Sequence, residues 1–115
     1  MQANVFDFPQ MLALASSRQP YLEFLRVSSL AVGVYVLEAG TTDHQIPHGE
    51  DEVYYVASGR AKMRTGSDEN TCSFEVGPGT IIFVPARLHH VFYDIGERLS
   101  VLVFFAAGRS TMMAT

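Results

Sequence analysis

After Pro20 the chain breaks into short runs rich in β-branched and aromatic residues, each closed by turn residues, and that punctuation limits the fold more than any other feature. The runs cover residues 21–27, 30–37, 53–57, 60–65, 71–76, 80–84, 90–94 and 99–106. Between them stand Ser28-Ser29, Gly40, Ser58-Gly59, Gly66-Ser67-Asp68, Gly77-Pro78-Gly79, Pro85 and Gly96. Many short strands at this spacing predict an all-β sandwich or barrel, because each strand buries one face and needs neighbours along both edges. Ser58-Gly59 between two runs reads as a tight hairpin. Ahead of the strands, residues 7–18 predict a short helix: Asp7 caps it, Pro9 suits its first turn, and Met11, Leu12, Leu14 and Ala15 supply an apolar stripe. So short a helix cannot stand alone and is expected to lie across a sheet.

A chain of 115 residues is read as a single domain, with residues 1–20 as helix and arm, 21–107 as the β-barrel and 108–115 as a fraying tail. Apolar content of 48% with 17% charge is that of a globular protein. The net charge of −4, with eight scattered Lys and Arg, gives no basic stripe for phosphates, so no nucleic-acid partner is expected. Cys72 is the only cysteine, which excludes an internal disulfide framework; it is read as a half-buried strand residue in a reducing compartment. No apolar run approaches the ~20 residues of a membrane span. The N-terminal stretch lacks a basic segment and carries Asp7 and Pro9, unlike a secretory signal, so a cytoplasmic protein is expected.

Two segments carry chemistry. From Gly40 the chain runs Gly40, five residues, Ile46, Pro47, His48, three residues, Glu52, six residues, Gly59. From Gly79 it runs five residues to Pro85, then Arg87, His90 and Asp94. The first resembles the cupin motif Gly-x5-His-x-His-x3-Glu-x6-Gly in every spacing, with Ile46 in the place of the first His. The second resembles Gly-x5-Pro-x-Gly-x2-His-x3-Asn, with Arg87 for Gly and Asp94 for Asn. The resemblance covers about residues 30 to 105 and implies a double-stranded β-helix, a jelly-roll barrel with the short N-terminal helix. It also implies one divalent metal held by His48, Glu52 and His90.

Residue chemistry agrees with that resemblance. Alternate strand residues share a face, so His48, Glu52, Tyr54 and Val56 have compatible parity, as do His90, Phe92 and Asp94. Two imidazoles and a carboxylate converging inside a barrel are costly unless a cation satisfies them. The two-His, one-carboxylate set suits Fe2+ first, with Mn2+, Ni2+ and Zn2+ as rivals. Ile46 leaves either a three-ligand site or a lost one. His44 and Gln45 are candidate replacement ligands; His44 is otherwise a solvated loop residue. His89 is read as facing outward, although a strand shifted by one residue makes it the ligand instead of His90. Glu50 and Asp51 are rivals to Glu52 as the acidic ligand, but Asp51 has the wrong parity and Glu50 lacks the motif spacing, so both are expected to face solvent or loop amides.

Tyr54 and Tyr55 should lie on opposite faces, with one toward the cavity; Tyr54 is a candidate to orient a substrate. Arg87, near the rim, is a candidate for meeting an anionic one. Phe83, Phe92, Phe104 and Phe105 are read as barrel filling around a cavity for a small, partly apolar ligand. The leading functional expectation is a metal-dependent, dioxygenase-type enzyme acting on a small organic molecule. Its alternatives are a non-catalytic ligand-binding or sensing barrel, and a sugar or sugar-phosphate isomerase using Arg60, Lys62 and Arg64, which otherwise form a solvated charge face. The apolar run 21–36 suggests an edge strand covered in a homodimer.

Overall fold

The computed structural model describes residues 2–15 and 18–106. The tail expected at 108–115 lies outside them. Helix α1 spans Phe8–Leu14, with the Asp7 carboxylate accepting from the Gln10 amide at 3.0 Å, so the cap falls where its residue type required. The helix is shorter than the stretch 7–18: Ala15 is already extended, which ends the helical bonding after one closing bond to Leu12. It packs on β1 and β2.

Six antiparallel strands follow: β1 Tyr21–Val27, β2 Leu30–Leu37, β3 Glu52–Thr65, β4 Cys72–Val76, β5 Ile81–Val84 and β6 His90–Phe105. Their order is β1-β2-β6-β3-β4, with β5 also beside β3. The long strands β3 and β6 pair along almost their whole length, from Glu52–Phe105 to Thr65–His90. β5 borders the first half of β3 and β4 the second.

Ser58-Gly59 is therefore not a hairpin. The runs 53–57 and 60–65 are one strand, and the runs 90–94 and 99–106 are another, each kinked where the register slips between Val56 and Lys62. Gly59 has φ +93°, and a Cβ there would lie 2.2 Å from the Arg98 carbonyl oxygen. A glycine at positive φ serves a bulge as well as a turn, and here the bulge lets both strands bend around one core. Asp94 has φ +53° on the facing strand, which breaks the parity expected of His90, Phe92 and Asp94: the first two are buried, while Asp94 is exposed and meets Lys62 at 3.4 Å.

Between the strands lies an apolar cluster that includes Tyr54, Val56, Met63, Phe92, Leu99, Val101 and Val103. Phe92 fills it as expected, but Phe83 does not: it is 61% exposed on the outer face of β5, beside outward Ile81 and opposite outward Tyr55 and Val53 of β3. The four-residue β5 alternates strictly, so only Ile82 and Val84 reach the core. Cys72 is exposed rather than half-buried, because only Val76 of the edge strand β4 reaches the core.

Candidate metal centre

His48 precedes β3 in the loop after β2, Glu52 opens β3, and His90 opens β6. In the β3–β6 ladder Glu52 pairs with Phe105 and His90 with Thr65, at opposite ends. It is the bend at the register slips between Val56 and Lys62 that brings their side chains within 3.0 Å, and a loop hydrogen bond brings His48 beside them. Its carbonyl accepts from the Arg87 amide at 2.6 Å, tying the loop of the first motif to that of the second. Ligand atoms of His48, Glu52 and His90 all lie within 4.8 Å of one another. The His48 and His90 ring centroids are 6.0 Å apart, and Phe105 meets the His48 ring edge-on at 5.2 Å.

Hydrogen bonding decides what this cluster can hold. His90 Nδ1 lies 2.8 Å from the Leu88 carbonyl oxygen, which can only accept, so Nδ1 carries the proton. In the neutral ring Nε2 then presents a lone pair, 3.0 Å from Glu52 Oε1. Both Glu52 oxygens are buried without a hydrogen-bond partner; the His90 approach is close enough for an ion pair but lacks hydrogen-bond direction. Burial alone would lower the His90 pKa, yet contact with Glu52 and the Leu88 carbonyl raise it above the ordinary histidine value. A buried carboxylate facing a ring nitrogen that gains basicity is a place that favours positive charge. The donor set, two nitrogens and a carboxylate with one ring anchored on a backbone carbonyl, fits a divalent metal.

The candidates weighed from the sequence fall out unevenly. Ile46 is 72% exposed and outside the cluster, so the side chain in the first-histidine position points into the cavity mouth. His44 is exposed and also lines the cavity, not the cluster. Gln45 turns inward, but its oxygen accepts from the Tyr54 hydroxyl at 2.8 Å. Tyr54 is buried and its hydroxyl lies 3.0 Å from His90 Nε2; Tyr55 faces outward. Burial, then the Glu52 charge, hold the Tyr54 phenol far above its usual pKa. His89 is exposed, leaving His90 as the inward residue. Asp51 accepts from the Ala86 amide at 2.9 Å, the loop role expected of it.

Arg87 is exposed, and its side chain does not line the cavity. Its φ is +69°, the conformation for which the motif uses glycine. Asp43 carries no signal in the sequence, since loop residues have no parity to read. It is buried and accepts from the Tyr35 hydroxyl, the Phe92 amide at 2.9 Å and the Gln45 amide at 2.7 Å. Burial and the Asp43 contact hold the Tyr35 phenol above its usual value.

A cavity of about 610 Å3 opens beside the cluster, with His48 and Tyr54 in its wall, while Glu52 and His90 lie behind them. Tyr21, Leu37, Ile46, Val103 and Phe105 make much of that wall apolar. Residues 33–105 match the family model described as Cupin domain. The chain belongs to the cupin family. An uncharacterized protein of Streptomyces coelicolor is 45% identical to this cupin over 96 residues, covering 84% of this chain and 88% of the relative.

Among solved structures, the DMSP lyase DddQ from Ruegeria pomeroyi matches with TM-score 0.66 and 19% identity, over 90% of this cupin and 55% of that chain. The iron(II) form of HppE matches with TM-score 0.65 and 18% identity, over 80% and 54%. Oxalate decarboxylase of Bacillus subtilis, described with Mn(II) centres, matches with TM-score 0.64 and 24% identity, over 70% and 22%. This cupin thus spans about half the length of the first two, and these likenesses are of fold.

Proposed function

We propose that this cupin binds one divalent metal through His48, Glu52 and His90 and is a metal-dependent enzyme of dioxygenase type. Its substrate is a small, largely apolar organic molecule held in the cavity beside the metal. One observation carries the reading: both oxygens of buried Glu52 lack a hydrogen-bond partner while a ring nitrogen, its other nitrogen tied to Leu88, faces them. Fe2+ is the first choice, with Mn2+, Ni2+ and Zn2+ as rivals. Structural relatives described with iron(II) and with Mn(II) support the first two.

A bound metal supplies Lewis acidity and, as iron(II), electrons for dioxygen chemistry. The chain does the rest. Glu52 brings a negative charge, the Leu88 carbonyl fixes the His90 ring, and Phe105 restrains the ring of His48. The apolar wall excludes water and holds the body of a substrate beside Tyr54. Arg87, exposed and off the cavity, is left with its backbone role. Exposure of Ile46 favours a second reading, a ligand-binding or sensing barrel with the metal as a clip, because only three of the motif's four donors are present. The isomerase reading has no comparable support: Lys62 meets Asp94, Arg64 stacks on Tyr93, and neither lines the cavity.

A single-domain jelly-roll barrel, a cytoplasmic location and a homodimer complete the reading. No helix among the described residues is long and apolar enough to cross a membrane. Exposed Tyr55, Ile81 and Phe83 give a pairing face on β3 and β5 rather than on the run 21–36, part of which α1 covers. Light scattering that reports a monomer at micromolar concentration would remove the dimer.

Metal content of the purified protein tests the central claim. Near-stoichiometric metal that is lost in both His48→Ala and His90→Ala is the expected result. A metal-free wild type that takes up neither Fe2+ nor Zn2+ would overturn it and leave the ligand-binding barrel. Oxygen uptake with diketones, thiols, hydroxy acids and phenols then separates enzyme from binder.

A further inference from the structure

Resting on the metal reading above, we propose that Tyr54 Oη is a fourth donor to the cation, with Gln45 and Asp43 as positioning residues that turn the phenol proton away from it. Hydrogen-bond polarity, followed through four residues, leads there. The Phe92 backbone N–H, which can only donate, points at Asp43 Oδ2 from 2.9 Å, so that oxygen is an acceptor. Gln45 reaches the same oxygen at 2.7 Å and must do so with its NH2. The Tyr35 hydroxyl donates to the other Asp43 oxygen, so the carboxylate is held by three donors.

With its NH2 turned to Asp43, Gln45 presents its amide oxygen to Tyr54 at 2.8 Å. An amide oxygen can only accept, and a phenol has one proton. That proton is committed to Gln45, so what Tyr54 Oη directs at His90 Nε2 from 3.0 Å is a lone pair. Nε2 of the neutral His90 also presents a lone pair, because Nδ1–H is committed to the Leu88 carbonyl at 2.8 Å. Glu52 Oε1 lies 3.0 Å from the same nitrogen with no hydrogen-bond partner. With His90 neutral, three lone-pair donors therefore crowd one buried point, and His48 closes the group from the loop. Such a convergence repels itself until a proton or a metal cation enters.

The family motif has a histidine where this chain has Ile46, whose side chain is outside the cluster. Tyr54, two residues beyond Glu52 on the same face of β3, makes up the missing donor from a different position. A set of two nitrogens and two oxygens favours Fe2+, Mn2+, Co2+ or Zn2+ over softer ions.

Cobalt(II) tests this, because its visible absorption reports the number and geometry of its donors. Co2+ would be titrated into wild type, Tyr54→Phe, Gln45→Met and His48→Ala, reading both the spectrum and the dissociation constant. Tyr54→Phe is expected to change the Co2+ spectrum and weaken binding roughly 10–100-fold. Gln45→Met, which frees the phenol proton to turn inward, is expected to shift the spectrum in the same direction. A Tyr54→Phe protein with the spectrum and affinity of wild type, beside a His48→Ala protein that has lost the ion, would overturn the fourth donor and leave the three-ligand site standing. A wild type that takes up no Co2+ would overturn both. Thermal melting of metal-free Tyr54→Phe and Gln45→Met, matched to wild type, excludes misfolding as the cause of a loss.

Discussion

Asp43 shows how much a single loop carboxylate can organise. It joins β2 through Tyr35, β6 through the Phe92 amide and the β2–β3 loop through Gln45. Removing it leaves a buried phenol and a buried backbone N–H without acceptors. Each such orphan costs about 1–3 kcal/mol, so Asp43→Ala is expected to lose about 2–6 kcal/mol in urea unfolding. A variant as stable as wild type would mean that the loop is not anchored through Asp43. Glu52 and His90 are legible in the sequence because spacing along a strand carries facing information, whereas His48, in the loop before β3, is legible only through the motif spacing. Asp43 is not legible there, and Gln45 is legible only as a possible ligand. Their importance comes from what β6 and β3 bring to them, more than 40 residues away along the chain for Phe92.

At the scale of elements, the sequence places almost every strand but cuts two of them in half. Ser58-Gly59 looks like a hairpin turn because a glycine at positive φ is what a turn needs. It is also what a bulge needs, and only the identity of the pairing partner separates the two. β3 pairs with β6, some 40 residues on, and not with itself. Two glycines allow the bulge to be tested. At Gly59 an added Cβ would meet the Arg98 carbonyl oxygen at 2.2 Å and the Leu99 Cα at 2.7 Å, both backbone atoms that cannot move aside cheaply. At Gly40 φ is +78° and nothing lies within 4 Å. Gly40→Ala is therefore expected to cost about 1–2 kcal/mol from backbone strain alone. Gly59→Ala should cost clearly more, since the clash adds to the same strain and disturbs the β3–β6 ladder. Chemical denaturation of the two variants compares them directly, and equal losses would show that the strands at Gly59 separate more easily than this register implies.

For the whole molecule, the proposed metal centre sets function against stability. A chain of this size survives on a small margin, of the order of 5–15 kcal/mol. Within it the metal-free protein buries Glu52 beside His90 with neither carboxylate oxygen hydrogen-bonded, in a wall otherwise filled by Tyr54, Phe92 and Val103. That arrangement is a cost in the absence of a cation and a gain in its presence, so folding and metal binding are coupled. Metal at about 100 times its dissociation constant adds about 2.7 kcal/mol to the folded state, which for a domain near this length raises the melting temperature by roughly ten degrees. Glu52→Leu separates the cost from the gain, because leucine fills similar space without charge. The metal-free variant is expected to melt above metal-free wild type, as replacement of poorly compensated buried charge often stabilises by about 1–4 kcal/mol, and its melting should no longer respond to metal. A metal-free Glu52→Leu protein that melts below wild type would show that the carboxylate already stabilises the empty fold. The cluster would then be a structural polar group, and the case for a metal would have to rest on metal content alone.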